Sequence, residues 1–286
     1  MIKITENTYK SFYKTVKGGE GERCKYPTRL DLYGKGCQYN CKYCYGKQML
    51  NFRRLWHPNN VGIAPILDVY RTIDKIPKGD VVRLGGMTDC FQPLEKTVKN
   101  TYHAIKRLNK GRVHYLIVTK SDLIVQDDYL EVLDPELAHI QVSIPSNDNT
   151  VLNATDNAPQ YELRKMTVET LYDNGFDVSL RLSPFFFDTV DYDELNSINV
   201  DKCLVEFLRV KPSMSKELKD FINFKEFTIK EGGYRHLPLS KKLEVLDKLT
   251  FKEMTVCDDV NKHYEYFKNN FNHNSEDCCN LTIKRS

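Results

Sequence analysis

The sequence predicts an α/β protein, a partial (β/α)6 TIM-type barrel followed by a C-terminal extension. Two observations predict it. Short runs rich in β-branched and apolar residues alternate with longer amphipathic stretches, the pattern of parallel strands joined by right-handed helical crossovers. About six such units are visible, fewer than the eight of a closed barrel.

The units follow in order. Arg29-Leu30-Asp31-Leu32-Tyr33 reads as the first strand, leading into a loop with three cysteines. After Pro65 a helical period covers Ile66 to Ile76, and Asp80 to Gly85 reads as the second strand. Leu94 to Leu108 is helical, Val113 to Val118 the third strand, Gln126 to Leu133 a helix and His139 to Ile144 the fourth strand. Tyr161 to Asn174 is an amphipathic helix that Gly175 stops as a C-cap. Asp177 to Leu182 is the fifth strand, closed by Ser183-Pro184, and Lys202 to Leu208 the sixth. Residues 1–210 thus form the core with its lead-in, and 211–286 an extension that shapes or caps the substrate site. The extension has helices and a short strand at Met254-Thr255-Val256-Cys257.

Composition narrows the class. The chain has 286 residues, 41% hydrophobic and 28% charged, as in ordinary globular proteins. No apolar run reaches membrane-spanning length, and the start lacks the order of a signal peptide. Nine cysteines without an export signal point to a reducing compartment, the cytoplasm, where thiols serve metals or catalysis. With 42 basic and 39 acidic residues, net charge does not announce a nucleic-acid binder. Local clusters (Lys47, Arg53, Arg54; Lys106, Arg107, Lys110, Arg112) read as solvated helix faces.

The most informative run is Gly36-Cys37-Gln38-Tyr39-Asn40-Cys41-Lys42-Tyr43-Cys44-Tyr45, with the spacing C-x3-C-x2-C. Soft thiolates select iron–sulfur clusters, zinc or copper(I). A [4Fe–4S] cluster needs four ligands, and no fourth cysteine sits at a matching spacing nearby, so one iron stays open to a small molecule. The alternative is a structural zinc site, which usually closes with two paired half-sites; Cys24 or a distant His would have to complete it. In a parallel α/β fold, functional residues gather where the strands end. The cysteine loop follows the first strand, Gly85-Gly86-Met87-Thr88-Asp89-Cys90 the second, Thr119-Lys120-Ser121 the third, Ser143 the fourth and Arg181-Leu182-Ser183-Pro184 the fifth. All five positions converge at one mouth.

The cysteine loop, Thr88-Asp89-Cys90-Phe91-Gln92-Pro93-Leu94-Glu95-Lys96, Val118-Thr119-Lys120-Ser121-Asp122 and Ala158-Pro159 with Arg164 resemble the spore photoproduct lyase-related branch of the radical S-adenosylmethionine (SAM) enzymes, many of them labelled "DNA repair photolyase". The resemblance runs from about Arg29 to Arg209. It implies that Cys37, Cys41 and Cys44 bind a [4Fe–4S] cluster and that SAM chelates the open iron. It places Tyr43 against the adenine, and Gly85, Gly86, Thr88 and Asp89 near the methionine amino group. Lys120 and Ser143 match positions that hold carboxylate and ribose, with Arg181 a further candidate. A reductant such as flavodoxin or ferredoxin is implied as partner. The hydrogen-donating cysteine of the lyase, aligned through Asp89, falls here at Gly86. Cys90, beyond Asp89, is either a replacement donor or a small buried residue. Tyr45 matches a tyrosine that relays hydrogen in the lyase.

A second group of cysteines, Cys257 with Cys278-Cys279, would need Cys24 or His263 to complete a metal site. Cys203 lies in an apolar strand and reads as core. Three functions stay open at this point: radical chemistry on a nucleobase in DNA or RNA, the same chemistry on a ribosomally made peptide or small metabolite, and a zinc-stabilised binding module.

Overall fold

The structure is a computed structural model that describes residues 8–283. The chain forms two compact units: residues 8–141, 175–177 and 282–283, and residues 142–174 and 178–281.

The first unit contains β1 (Tyr13–Thr15), β2 (Thr28–Leu30), β3 (Tyr33–Gly34), β4 (Gly62–Ile63), β5 (Val81–Leu84) and β6 (His114–Thr119). β1 pairs antiparallel with β2, while β2–β5 and β5–β6 are parallel. β7 (Ala138–Ser143) carries the chain into the second unit. There, β8 (Asp177–Phe185), β9 (Lys202–Phe207), the hairpin strands β10 (Ile229–Glu231) and β11 (Tyr234–His236), and β12 (Glu253–Val256) follow. β8–β9 and β9–β12 are parallel. The sheet runs β1-β2-β5-β6-β7-β8-β9-β12. It is mostly parallel and open, the architecture of a partial barrel.

In β2 and β5 the side chains alternate between an apolar face and a face that carries arginines. Leu30 and Leu84 lie side by side and fully buried, while their neighbours Arg29 and Arg83 face the other way. Leu180 and Leu182 likewise align with Cys203 and Val205, all buried. In the first unit the helices Ile66–Ile73 and Asn100–Gly111 pack on each other and bury Val69, Ile73, Ala104, Ile105 and Leu108. Each such side chain contributes roughly 1.5–3 kcal/mol by leaving water.

Three expectations need correction. The strand foreseen over Arg29–Tyr33 is split into β2 and β3, because Asp31 turns its carboxylate to the N–H groups of Gly86 and Met87. The helix foreseen over Leu94–Leu108 breaks into Glu95–Val98 and Asn100–Gly111 at Lys99, whose φ is +55°. Glu95 folds back there to accept from Thr101 N and Tyr102 N, capping the second helix in place of its missing intrahelical bonds. The fifth strand does not close at Ser183 but continues to Phe185, with a shift of register after Leu182. The short strand foreseen near Met254 is β12, which adds a parallel strand beside β9 at the edge of the sheet. The helix Tyr161–Asp173 ends as foreseen, with Gly175 at φ +77°.

Candidate active site

The cysteine loop starts from β3 and is shaped by two tight positions. A Cβ on Gly36 would meet His57 O at 2.4 Å, so only glycine lets the strands pass. Asn40 adopts φ +43°, a conformation Asn tolerates, and its side chain accepts from Trp56 Nε1 at 3.3 Å. Two turns, Asn40 N to Cys37 O at 3.0 Å and Cys44 N to Cys41 O at 3.2 Å, space the cysteines. Backbone N–H groups point at their sulfurs: Tyr39 and Asp89 donate to Cys37, and Lys47 N donates to Cys44 Sγ at 3.4 Å. Burial, then the carboxylate of Asp89, pushes the Cys37 thiol up. Among the described residues, no three His, Cys, Asp or Glu side chains converge on a single-ion position.

The Gly85–Cys90 loop is stitched onto the cysteine loop. Gly85 has φ +77°, and a Cβ there would sit 2.8 Å from Thr88 O. Gly86 N donates to Asp31 Oδ1 at 2.5 Å and Met87 N to the same oxygen at 3.1 Å, while Tyr45 Oη donates to Gly86 O at 3.0 Å. Burial pushes the Asp31 carboxyl up, against those N–H groups and the charges of Arg29 and Arg83. Thr88 Oγ1 donates to Tyr33 O at 2.8 Å. Gln38 N donates to Gln92 Oε1 at 2.9 Å, Leu94 N to Gln38 Oε1 at 2.6 Å, and Tyr39 Oη to Phe91 O at 3.1 Å.

Asp89 ties this loop to the end of β6. Its carboxylate accepts from Phe91 N, Thr119 Oγ1 and Lys120 N, each at 2.8 Å. Burial outweighs these donors and raises its pKa. Lys120 Nζ stands 5.7 Å from the centre of the Tyr43 ring, and Tyr43 is buried. The first unit therefore brings together Cys37, Cys41, Cys44, Tyr43, Tyr45, Gly85, Gly86, Thr88, Asp89 and Lys120 through these loop contacts.

Cys90 is 1% exposed, its carbonyl accepts from Thr101 Oγ1 at 2.6 Å, and burial raises its thiol well above the ordinary value. A Cβ on Gly86 would meet Arg29 Cδ at 2.1 Å. The space that a donor cysteine would need at this position is taken by the Arg29 side chain.

Ser143 and Arg181 belong to the second unit. Ser143 is buried and its carbonyl accepts from Arg164 Nη1 at 3.4 Å. Arg181 forms an ion pair with Glu206, which also accepts from Ser183 Oγ at 2.8 Å. Cys257, Cys278 and Cys279 do meet, with the Cys278 thiol hydrogen-bonded to the other two. His263 is engaged elsewhere, by Lys242 Nζ at 3.1 Å, which also holds Asp258 at 2.5 Å. Cys203 is buried in β9, as its apolar surroundings foretold.

Sequence reasoning passed over Asp31, Gln38, Gln92 and Glu95 as site-building residues. Glu95 is fully buried and accepts from Tyr33, Tyr129 at 2.7 Å, Thr101 N and Tyr102 N. The one available signal was Asp31, an acid inside an apolar strand.

The sequence profile of the radical SAM superfamily matches residues 32–196, more than half of the chain. The chain belongs to the radical SAM superfamily. Proteins of this superfamily typically use a [4Fe–4S] cluster with SAM and generally need a reductant. An uncharacterized protein of Methanocaldococcus jannaschii is 29% identical over 197 residues, 65% of this chain and 72% of its own length. Among solved structures, a single-site mutant of spore photoproduct lyase superposes with a TM-score of 0.63 at 13% identity, covering 87% of this chain and 80% of that one. A double mutant of the same lyase, with bound AdoMet and dinucleoside spore photoproduct, gives 0.61 at 14% identity, over 91% and 78%. At such identities the likeness is one of fold. Among the described residues of this radical SAM protein, no helix is long and apolar enough to cross a membrane.

Proposed function

We propose that this protein is a radical SAM enzyme in which Cys37, Cys41 and Cys44 hold a [4Fe–4S] cluster and leave one iron for SAM. The observation that carries the reading is the cysteine loop itself. Its three cysteines are spaced by two successive turns, and backbone N–H groups are aimed at the sulfurs of Cys37 and Cys44, the donors that stabilise cluster thiolates. When bound, the cluster and SAM supply a 5′-deoxyadenosyl radical that abstracts a hydrogen atom from the substrate.

The chain's own residues bind, orient and exclude. Gly85 and Gly86 carry the backbone that lies beside the methionine part of SAM, and their missing Cβ atoms let Thr88 O and the Arg29 side chain pack against that loop. Lys120 offers a cation to the carboxylate, and Tyr43 a ring face to the adenine. Asp89 fixes the backbone from which Lys120 projects. Thr88 locks its loop onto Tyr33, and Tyr45 holds the Gly86 carbonyl. Ser143 and Arg181, in the second unit, are the further candidates for ribose and carboxylate, and Arg181 is already paired with Glu206. Cys90 remains a neutral thiol, the form a hydrogen-atom donor needs.

The substrate we propose is a nucleobase in DNA or RNA, supported by the fold shared with a lyase bound to a dinucleoside. Base chemistry needs an extruded nucleotide, and the half-buried Tyr45 offers a ring for stacking, whereas Phe91 and Phe185 to Phe187 are buried in the core. A second reading, a ribosomally made peptide or small metabolite, is favoured by Gly86, where Arg29 fills the donor's place. Anaerobic turnover with dithionite and SAM, against DNA, RNA and peptide fractions of a cell extract, separates the two. Deuterium transferred from a labelled nucleic acid into 5′-deoxyadenosine is the expected result. Formation of 5′-deoxyadenosine that no nucleic acid stimulates sinks the nucleobase reading.

A further inference from the structure

The helix that leaves the cysteine loop ends in an exposed patch with no part in binding cluster or SAM. Between Asp31 and Asp68 the sequence has no acidic residue, yet it has Lys35, Lys42, Lys47, Arg53 and Arg54. This stretch carries five positive charges, against a net +3 for the whole chain. At the end of the helix Tyr45–Phe52, Phe52 is 91% exposed, with Met49 at 43% and Leu55 at 45%. Arg53 and Arg54 are exposed beside them, and Arg54 has φ +55°, which turns the chain back so that Leu55 N reaches Leu50 O at 2.9 Å. Apolar side chains left in water at a turn, rimmed by charges of one sign, have the composition of an interface.

We infer that this patch docks the protein that reduces the cluster, a small acidic one-electron carrier of the flavodoxin or ferredoxin class. The inference rests on the proposed function and adds a partner surface to it. Three features favour such a carrier. Cys44 is the N-cap of the helix, so the patch begins on a cysteine assigned to the cluster. Eight residues at about 1.5 Å each put Phe52 about 12 Å along the helix from it. The acid-free basic stretch complements a negative partner and steers its approach. Nucleic acid would answer to the same charges, but it gains little from the aliphatic surface of Met49 and Leu55.

The test uses the reconstituted holoprotein and a purified acidic flavodoxin as the probe. The variant combines Phe52→Ser, Arg53→Glu and Arg54→Asn, the last chosen because Asn accepts the left-handed backbone. Calorimetric titration should show saturable flavodoxin binding that weakens with added salt and falls about tenfold or more in the variant. Reduction of the cluster by flavodoxin should fall by the same factor, while reduction by dithionite stays within about twofold. Four results overturn the inference: no flavodoxin binding by the parent, equal binding by the variant, equal loss with both reductants, or a variant that loses only an oligonucleotide or only self-association. Absence of 5′-deoxyadenosine with dithionite would instead strike the proposed function, and the titration would still decide the docking surface.

Discussion

The two cysteine groups differ in what their sulfurs are offered. The sulfurs of Cys37 and Cys44 receive backbone N–H donors, from Tyr39 and Asp89 at Cys37 and from Lys47 at Cys44, which suit a thiolate. Around Cys278 the partners are other thiols. Hydrogen bonds to Cys257 and Cys279, then burial, push the Cys278 thiol well above its ordinary value, so it keeps its proton. Its backbone is fastened as well, since Thr255 Oγ1 donates to Cys278 O at 2.7 Å and Asp277 Oδ1 accepts from Cys279 N at 2.9 Å. Three nearby cysteines are thus not one signal. The first group is offered N–H donors that suit a thiolate, and the second is occupied by bonds among its own thiols.

The strongest way to break this contrast is to remove one cysteine from each group. Cys41→Ala should yield colourless protein whose iron falls to background and which leaves SAM intact after anaerobic reconstitution. Cys278→Ala should retain the parent's iron, about four per chain, and its visible absorption. Iron and sulfide analysis reads both. Iron lost equally from the two variants would make the second group a ligand set and erase the distinction.

A smaller effect separates the surroundings of the two groups by pH. Burial alone would raise Glu206, but the charges of Arg181 and Arg209 and the bonds from Ser183 and Arg181 outweigh it, and its pKa falls from 4.5 to about 2. A carboxylate depressed on folding contributes stability that is fully present above its unfolded pKa and lost as pH falls through the folded one. The window is therefore about pH 4.5 down to 2, and the loss roughly 2–3 kcal/mol. Urea unfolding of parent and Glu206→Gln should give a stability difference that shrinks across this window. A difference constant with pH would mean that Glu206 is not held charged by Arg181.

Much of this was legible beforehand. β-branched runs marked β6, β7 and β9, because strands buried on both faces read as apolar stretches without needing a partner to be known. The cysteine loop was legible for a similar reason, since its spacing is a local property. What the sequence hid was reciprocal. Nothing near Lys99 announces a helix break, because the cause is the carboxylate of Glu95 reaching Thr101 and Tyr102. Nor does Asp31 reveal that its partners lie at Gly86 and Met87, 55 and 56 residues away. The engagement of Arg181 by Glu206 likewise needs β8 and β9 side by side.

The finest test concerns why the first group's neighbourhood leaves no room for a donor at position 86. If Arg29 fills that space, Gly86→Ala forces a methyl group into Arg29 Cδ, 2.1 Å away, and the side chain must give. Overpacking of this kind costs about 1–3 kcal/mol. Thermal unfolding should show that loss in Gly86→Ala and recover part of it in Gly86→Ala with Arg29→Ala, because the second change removes the opposing atoms and the pair is in contact. The φ of Gly86 is not in the left-handed region, so backbone strain does not confuse the reading. If the double variant is as unstable as the sum of the singles, Arg29 is not what excludes a side chain, and a cysteine at this position would be barred by something else in the loop. If the coupling is found, Arg29 is what closes position 86 to any side chain.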